Sequence, residues 1–132
     1  MKKSEVITRF APAIEATMVD CYRSVLRYDG QIQYGVYVYS DGTVRTIEQV
    51  QGDNARLAKD ENDPRELYYV TTVSAPGVDV FDLAGIVDIP ETEEEEEVAK
   101  AEAIEWLVED YEVAGADEAL DSVIRNAEID EY

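Results

Sequence analysis

The chain has no histidine in 132 residues. Imidazole is the commonest general base near neutral pH and the commonest metal ligand, so its absence removes the usual nucleophile–base pairs and histidine-based metal centres. Ser4, Ser24, Ser40 and Cys21 are left without such a partner. One cysteine, Cys21, excludes an internal disulfide framework and sits where an apolar helix face would bury it. Basic residues are scarce: 11 Lys and Arg stand against 31 Asp and Glu, for a net charge of −20. That charge repels phosphates, which argues against direct binding of nucleic acid or an anionic membrane surface and favours basic partners or cations. No apolar run reaches bilayer length. After Met1-Lys2-Lys3 the apolar residues are broken by Thr8, Arg9 and Pro12, so no signal peptide is expected and the expected location is cytoplasmic.

Glycine and metal signatures are missing as well. Gly30, Gly35 and Gly42 fit neither nucleotide-binding loop. Asp60-Glu61-Asn62-Asp63-Pro64 starts like a calcium loop, but it lacks the required glycine and the closing glutamate. The sequence therefore assigns no catalytic residue, no cofactor-binding residue and no metal ligand, and predicts a protein that is not an enzyme.

What the chain does have is enough apolar content, 45%, to bury a core. A single domain over residues 1–132 is expected, with residues 1–90 forming a helix plus antiparallel sheet and residues 91–132 an acidic helical pair packed on it. Ile7, Phe10, Ile14, Met18, Cys21, Tyr22 and Val25 recur at threes and fours, predicting a helix over 4–28 that either starts near Ala11 or kinks at Pro12. Gln31 to Tyr39 alternates as a strand, with Ile32, Tyr34, Val36 and Val38 on one face and Gln33, Tyr37 and Tyr39 on the other. Asp41-Gly42 turns the chain into a second strand, Val44 to Val50. The register stays open: a two-residue loop pairs Val36 with Ile47, and a three-residue loop pairs Val38 with Val44. Gln51 to Arg65 is a polar loop with room for one helical turn at Ala55 to Lys59. Glu66 to Ser74 is a third strand, and its edge is a candidate for recruiting another chain, including a second copy of this one. A short helix is expected around Val80 to Gly85. The predicted fold is α+β: an N-terminal helix on a three-stranded antiparallel meander, with the acidic helices completing the core.

The last third holds most of the charge. Residues 91–132 carry 17 Asp and Glu against Lys100 and Arg125. Thr92 followed by Glu95 matches a capping box that opens a helix. Steps of about 100° then put Ala101, Ile104, Leu107, Val108 and Tyr111 on one face and Glu95, Glu102, Glu105, Glu109 and Glu112 on the opposite one. Ala114-Gly115 is the expected break before a second helix, with Asp117, Glu118, Asp121 and Glu128 on its polar side. Lys100 is expected to pair with Glu96.

Acids in a first helical turn are stabilised by the macrodipole, which accounts for Glu93 to Glu95 and for Asp117 and Glu118. It does not account for Glu109, Asp110 and Glu112, or for Glu128, Asp130 and Glu131, which fall at expected helix ends. The pairs Glu102–Glu105, Glu105–Glu109 and Glu109–Glu112 each cost about 0.2–0.5 kcal/mol. Adaptation to high salt predicts acids spread along the chain, whereas residues 1–90 carry only 14 acids against nine bases. Charge retained at a cost to folding points to a cationic partner. In size and charge the chain resembles the acidic DNA-mimic inhibitors of bacteriophages and mobile elements, which block restriction enzymes, CRISPR nucleases or other DNA-binding proteins. That resemblance implies an inhibitor occupying the basic DNA- or RNA-binding groove of a host defence nuclease or regulator, with no direct nucleic acid, membrane or cofactor. The partner-binding set expected on this basis is Glu95, Glu102, Glu105, Trp106, Glu109, Asp110, Glu112, Asp117, Glu118, Asp121 and Glu128. Trp106 lies off the stripe, as core cover or as a partner-facing anchor. The competing expectation is a general acidic protein–protein interaction module, for which reversing Glu102, Glu105 and Glu109 leaves binding intact.

Overall fold

A computed structural model describes residues 2–131; Met1, Tyr132 and the Ala114 side chain lie outside that description. The fold is α+β, in the order α1 (Lys3–Arg9), α2 (Ala11–Arg27), β1 (Ile32–Tyr39), β2 (Val44–Val50), β3 (Leu67–Val73), α3 (Val80–Ala84), α4 (Glu93–Asp110), a π-helical turn (Tyr111–Gly115) and α5 (Ala116–Asp130). Pro12 sits in the first turn of α2, where its missing N–H leaves no hydrogen bond unmade. The break between α1 and α2 falls at Phe10 (φ −106°, ψ 18°), so α2 starts at Ala11 rather than kinking. After α2, Gly30 adopts φ 73° and its N–H reaches the Val25 carbonyl at 3.0 Å. A Cβ there would lie 2.1 Å from the Pro76 carbonyl oxygen, so only glycine fits.

The hairpin takes the three-residue option: Val38 pairs with Val44, and the Tyr39 N–H donates to the Thr43 carbonyl at 2.8 Å. Gly42, at φ 95°, supplies the positive angle that the bulged turn requires. The sheet is not the expected meander, because its strand order is β2-β1-β3. Val36, Tyr37, Val38 and Tyr39 are all buried, so β1 needs cover on both faces and a neighbour on both edges. The 51–66 connector carries the chain past β1 to its free edge, where β3 pairs antiparallel, with a bulge between Val36 and Tyr37.

The inner sheet face joins Val36, Val38, Val70 and Val73 to Ile7, Ile14 and Met18 of α1 and α2 and to Leu120 and Ala127 of α5. On the outer face the connector is pinned to the sheet. The Leu57 N–H donates to the Tyr37 hydroxyl at 3.2 Å, so Ala55 to Lys59 follows the sheet instead of forming the expected helical turn. Arg65 stacks 3.9 Å from the Tyr39 ring centroid and binds Asp63, which it holds down to about pKa 2. Tyr37 and Tyr69 meet edge to face on this side, but Tyr68 pairs opposite Val38. Tyr68 packs against the inner core while Tyr69 is exposed on the outer face.

A second core joins Val19, Val25 and Leu26 of α2 with Val80 of α3 and Ala103, Ile104, Val108 and Ala116. Ala101, expected inward, is exposed, and Ala103 takes its place. The expected break at Ala114-Gly115 is also absent. The backbone stays right-handed helical through Gly115 and Ala116, with the Ala116 N–H donating to the Tyr111 carbonyl five residues back. An extra residue in one turn makes a π-bulge. Gly115 permits it, since a Cβ would come 2.9 Å from Tyr111 Cδ2, and that ring stacks on Tyr22 with centroids 4.2 Å apart. α4 runs on through the π-turn into α5 without a free end at Glu109, Asp110 and Glu112, so the expected dipole penalty does not apply to them.

Glu131 also differs from expectation. Its carboxylate accepts from the Ser4 N–H at 2.9 Å and from the Ser4 hydroxyl at 2.6 Å, tying the end of α5 to the first turn of α1. The Ser4 hydrogen bonds lower its pKa below the usual 4.5. A carboxylate with a depressed folded pKa stabilises fully above its unfolded value and loses that contribution as pH falls through the folded one. Glu131→Gln should therefore speed amide exchange in the first turn of α1 at pH 7. The difference from the wild-type chain should fade as pH drops below 4.5.

Candidate partner-binding surface

α4 opens at the expected N-cap: the Thr92 hydroxyl accepts the Glu95 N–H at 3.3 Å, the first half of a capping box. Its inward side is short, since Ala103, Ile104 and Val108 are its buried residues. Ala99, Lys100 and Leu107 are half-buried beside them, and the remaining helix circumference faces solvent. Every residue of the expected partner-binding set is exposed: Glu95, Glu102, Glu105, Trp106, Glu109, Asp110, Glu112, Asp117, Glu118, Asp121 and Glu128.

The structure divides this set into patches. Glu95 and Glu102 flank a shallow trough with Pro90, Glu94 and Val98. Glu102, Glu105, Trp106 and Glu109 line the next one along α4. Beside them, Arg23 of α2 bonds Glu105 at 2.8 Å and Asp20 at 3.3 Å, and feels the charge of Glu112. Glu105 is thus the member of the set held in an ion pair among the described residues. Asp110 lies by Tyr22, whose hydroxyl pKa is raised by burial and then by that charge. Asp117 and Asp121 form a separate group with Glu15 of α2. Burial first, then the hydrogen bond that a protonated Glu15 donates to the Asp117 carboxylate and the charges of Asp117 and Asp121, push the Glu15 pKa up. Glu118 is exposed on the same helix. Glu128 stands apart, lining a hollow with Ser4, Glu5, Thr8 and Arg9 between α1 and α5.

The position of Lys100 sharpens this picture. Instead of pairing with Glu96, it bonds Asp29 at 3.1 Å and fastens α4 to the end of α2. The cation nearest in sequence to the acidic stripe is therefore taken away from it. Glu15 was not expected in the acidic surface, because it sits amid the apolar periodicity of α2. Its spacing from Asp117 is visible only once α2 and α5 pack together.

Among the described residues no group of three or more His, Cys, Asp or Glu is arranged to hold a metal ion. No described helix is long and apolar enough to cross a membrane. A further small cleft of about 190 Å³ lies on the outer sheet face under the connector, lined by Gln33, Tyr37, Gln49, Arg56 and Tyr69. No family model, curated protein or solved structure matches the chain.

Proposed function

We propose that this chain is an acidic nucleic-acid mimic that occupies the basic DNA- or RNA-binding groove of another protein, a host defence nuclease or a regulator. It acts as an inhibitor by occupancy, without catalysis and without a cofactor. The observation that carries the reading is the exposed run of carboxylates on α4 with Arg23 as its single ion-pair partner among the described residues. The 18 residues of α4 extend about 27 Å, over which one DNA strand presents roughly eight phosphates. Charge density along the axis is matched on that scale, and a groove lined with lysine and arginine would attract the helix over long range. The exposed Val98 and Trp106 favour a second reading, a general acidic protein-interaction module with no likeness to DNA.

Capture of the partner on the immobilised chain, followed by competition with duplex DNA, tests the first reading. A basic nucleic-acid-binding protein should be recovered, DNA should displace it, and affinity should fall steeply as salt rises. Recovery of a partner that is not basic, held undiminished at about 1 M salt where the screening length is ~3 Å, would reject mimicry.

A further inference from the structure

We infer that α4 takes a basic amphipathic helix of its partner, anchored by an apolar side chain seated against Trp106. This rests on the reading above that α4 faces a cationic protein, and it specifies the chemistry of the contact. Trp106, the chain's one tryptophan, is 59% exposed, although indoles usually bury most of their surface. The packing of α4 does not need it, because Ala103, Ile104 and Val108 make the inward contacts. A surface imitating phosphates has no use for an indole either.

The surroundings of Trp106 supply the rest. On one side an open hollow of about 390 Å³ is lined by Ala84, Ile86, Ala99, Ala103 and Trp106. On the other side Ala101 and Trp106 are flanked by Glu105 and Glu109. Glu102 lines both of these hollows and also the trough at Val98. The surface is therefore an apolar floor rimmed by carboxylates. Val98 and Trp106, both exposed, are separated by two helical turns, about 12 Å. A partner helix presents apolar residues at i, i+3/i+4 and i+7 over a similar span, with lysine or arginine on its flanks to meet Glu102, Glu105 and Glu109. Nucleic acid and anionic lipid are repelled by that rim. An exposed aromatic within a ring of polar groups is the arrangement of a binding hot spot.

Trp106 also reports on the contact, as the only indole in the chain. The probes are two synthetic 18-residue helical peptides of equal charge, one with leucine along one face and lysine along the other, the second with glutamine in place of leucine. The leucine peptide should bind one to one, shift the Trp106 emission to the blue and keep part of its affinity at about 1 M salt. The glutamine peptide should bind at least about tenfold more weakly and leave the emission unmoved. By calorimetry Trp106→Ala should lose about tenfold for the leucine peptide, Trp106→Phe should recover most of it, and circular dichroism should show both variants folded. Equal binding of the two peptides, an unmoved emission, or wild-type affinity in folded Trp106→Ala would overturn the anchor. If both peptides bind alike and release in salt, the anchor is wrong while the electrostatic reading stands; if neither binds, both fall.

Discussion

Leu120→Ala should destabilise the fold by about 2–5 kcal/mol, the range for emptying a well-packed leucine site. Leu120 is 2% exposed and belongs to the core that holds Ile7, Ile14, Met18, Val36 and Val38. It is the largest fully buried side chain that α5 contributes. The cavity cannot collapse easily, because α1 and α2 both pack against α5 and are held in place by the sheet on their other side. Much of the chain's stability is at stake, since small domains total only about 5–15 kcal/mol. Urea denaturation should show a lower midpoint at unchanged slope, meaning that α5 unfolds with the rest. A biphasic transition, with α5 lost first, would mean that the acidic third is an appendage and not part of the single core.

Reversing Glu102, Glu105 and Glu109 to lysine should weaken capture of the cationic partner by about 100-fold or more at low salt, mainly through slower association. Each of the three is exposed, so none carries the core. Glu105 has the largest local consequence because its bond to Arg23 at 2.8 Å would become a like-charge contact. That pair is exposed and its loss shifts stability little. Surface plasmon resonance on the recovered partner, with the fold verified by circular dichroism, reads the effect. Unchanged binding would transfer the contact elsewhere on the chain and favour an interaction module that does not use the α4 stripe.

The parts of this fold that local chemistry dictates were legible in the sequence. Alternation marked β1, Asp41-Gly42 marked the hairpin, threes and fours marked α2, and Thr92 with Glu95 marked the start of α4. Features set by distant partners were not. Lys100 has Glu96 one turn away but bonds Asp29, 71 residues off in sequence. Glu131 looks self-repelling beside Glu128 and Asp130 until its bond to Ser4, 127 residues away, is seen. Gly115 reads as a helix end because glycine usually serves there. Here it makes room for the Tyr111 ring, whose hydroxyl is pushed up to about pKa 12 by burial. Strand order was hidden for a related reason: sequential pairing is the common outcome, and the pairing of β3 with the other edge of β1 is set by residues distant in sequence. The candidate surface followed the same rule. Its exposure was predictable from periodicity, while its division into patches, the recruitment of Glu15 and the hollow beside Trp106 depend on how α2, α3 and α5 pack against α4.

The central claim is that the α4 acids are kept at a cost to folding because a cationic partner needs them. Thermal unfolding of Glu102→Gln/Glu109→Gln at low salt tests it most directly, and Glu105 and Glu112 are spared so that the bond and the charge that hold Arg23 survive. Glutamine matches glutamate closely in helix propensity, and the substitutions remove the repulsive pairs Glu102–Glu105, Glu105–Glu109 and Glu109–Glu112, together about 0.6–1.5 kcal/mol. The melting temperature should rise by roughly 2–6 °C, and the gain should vanish in high salt. A melting temperature equal to or below that of the unsubstituted chain would show that these carboxylates impose no strain on the helix, and would contradict the account.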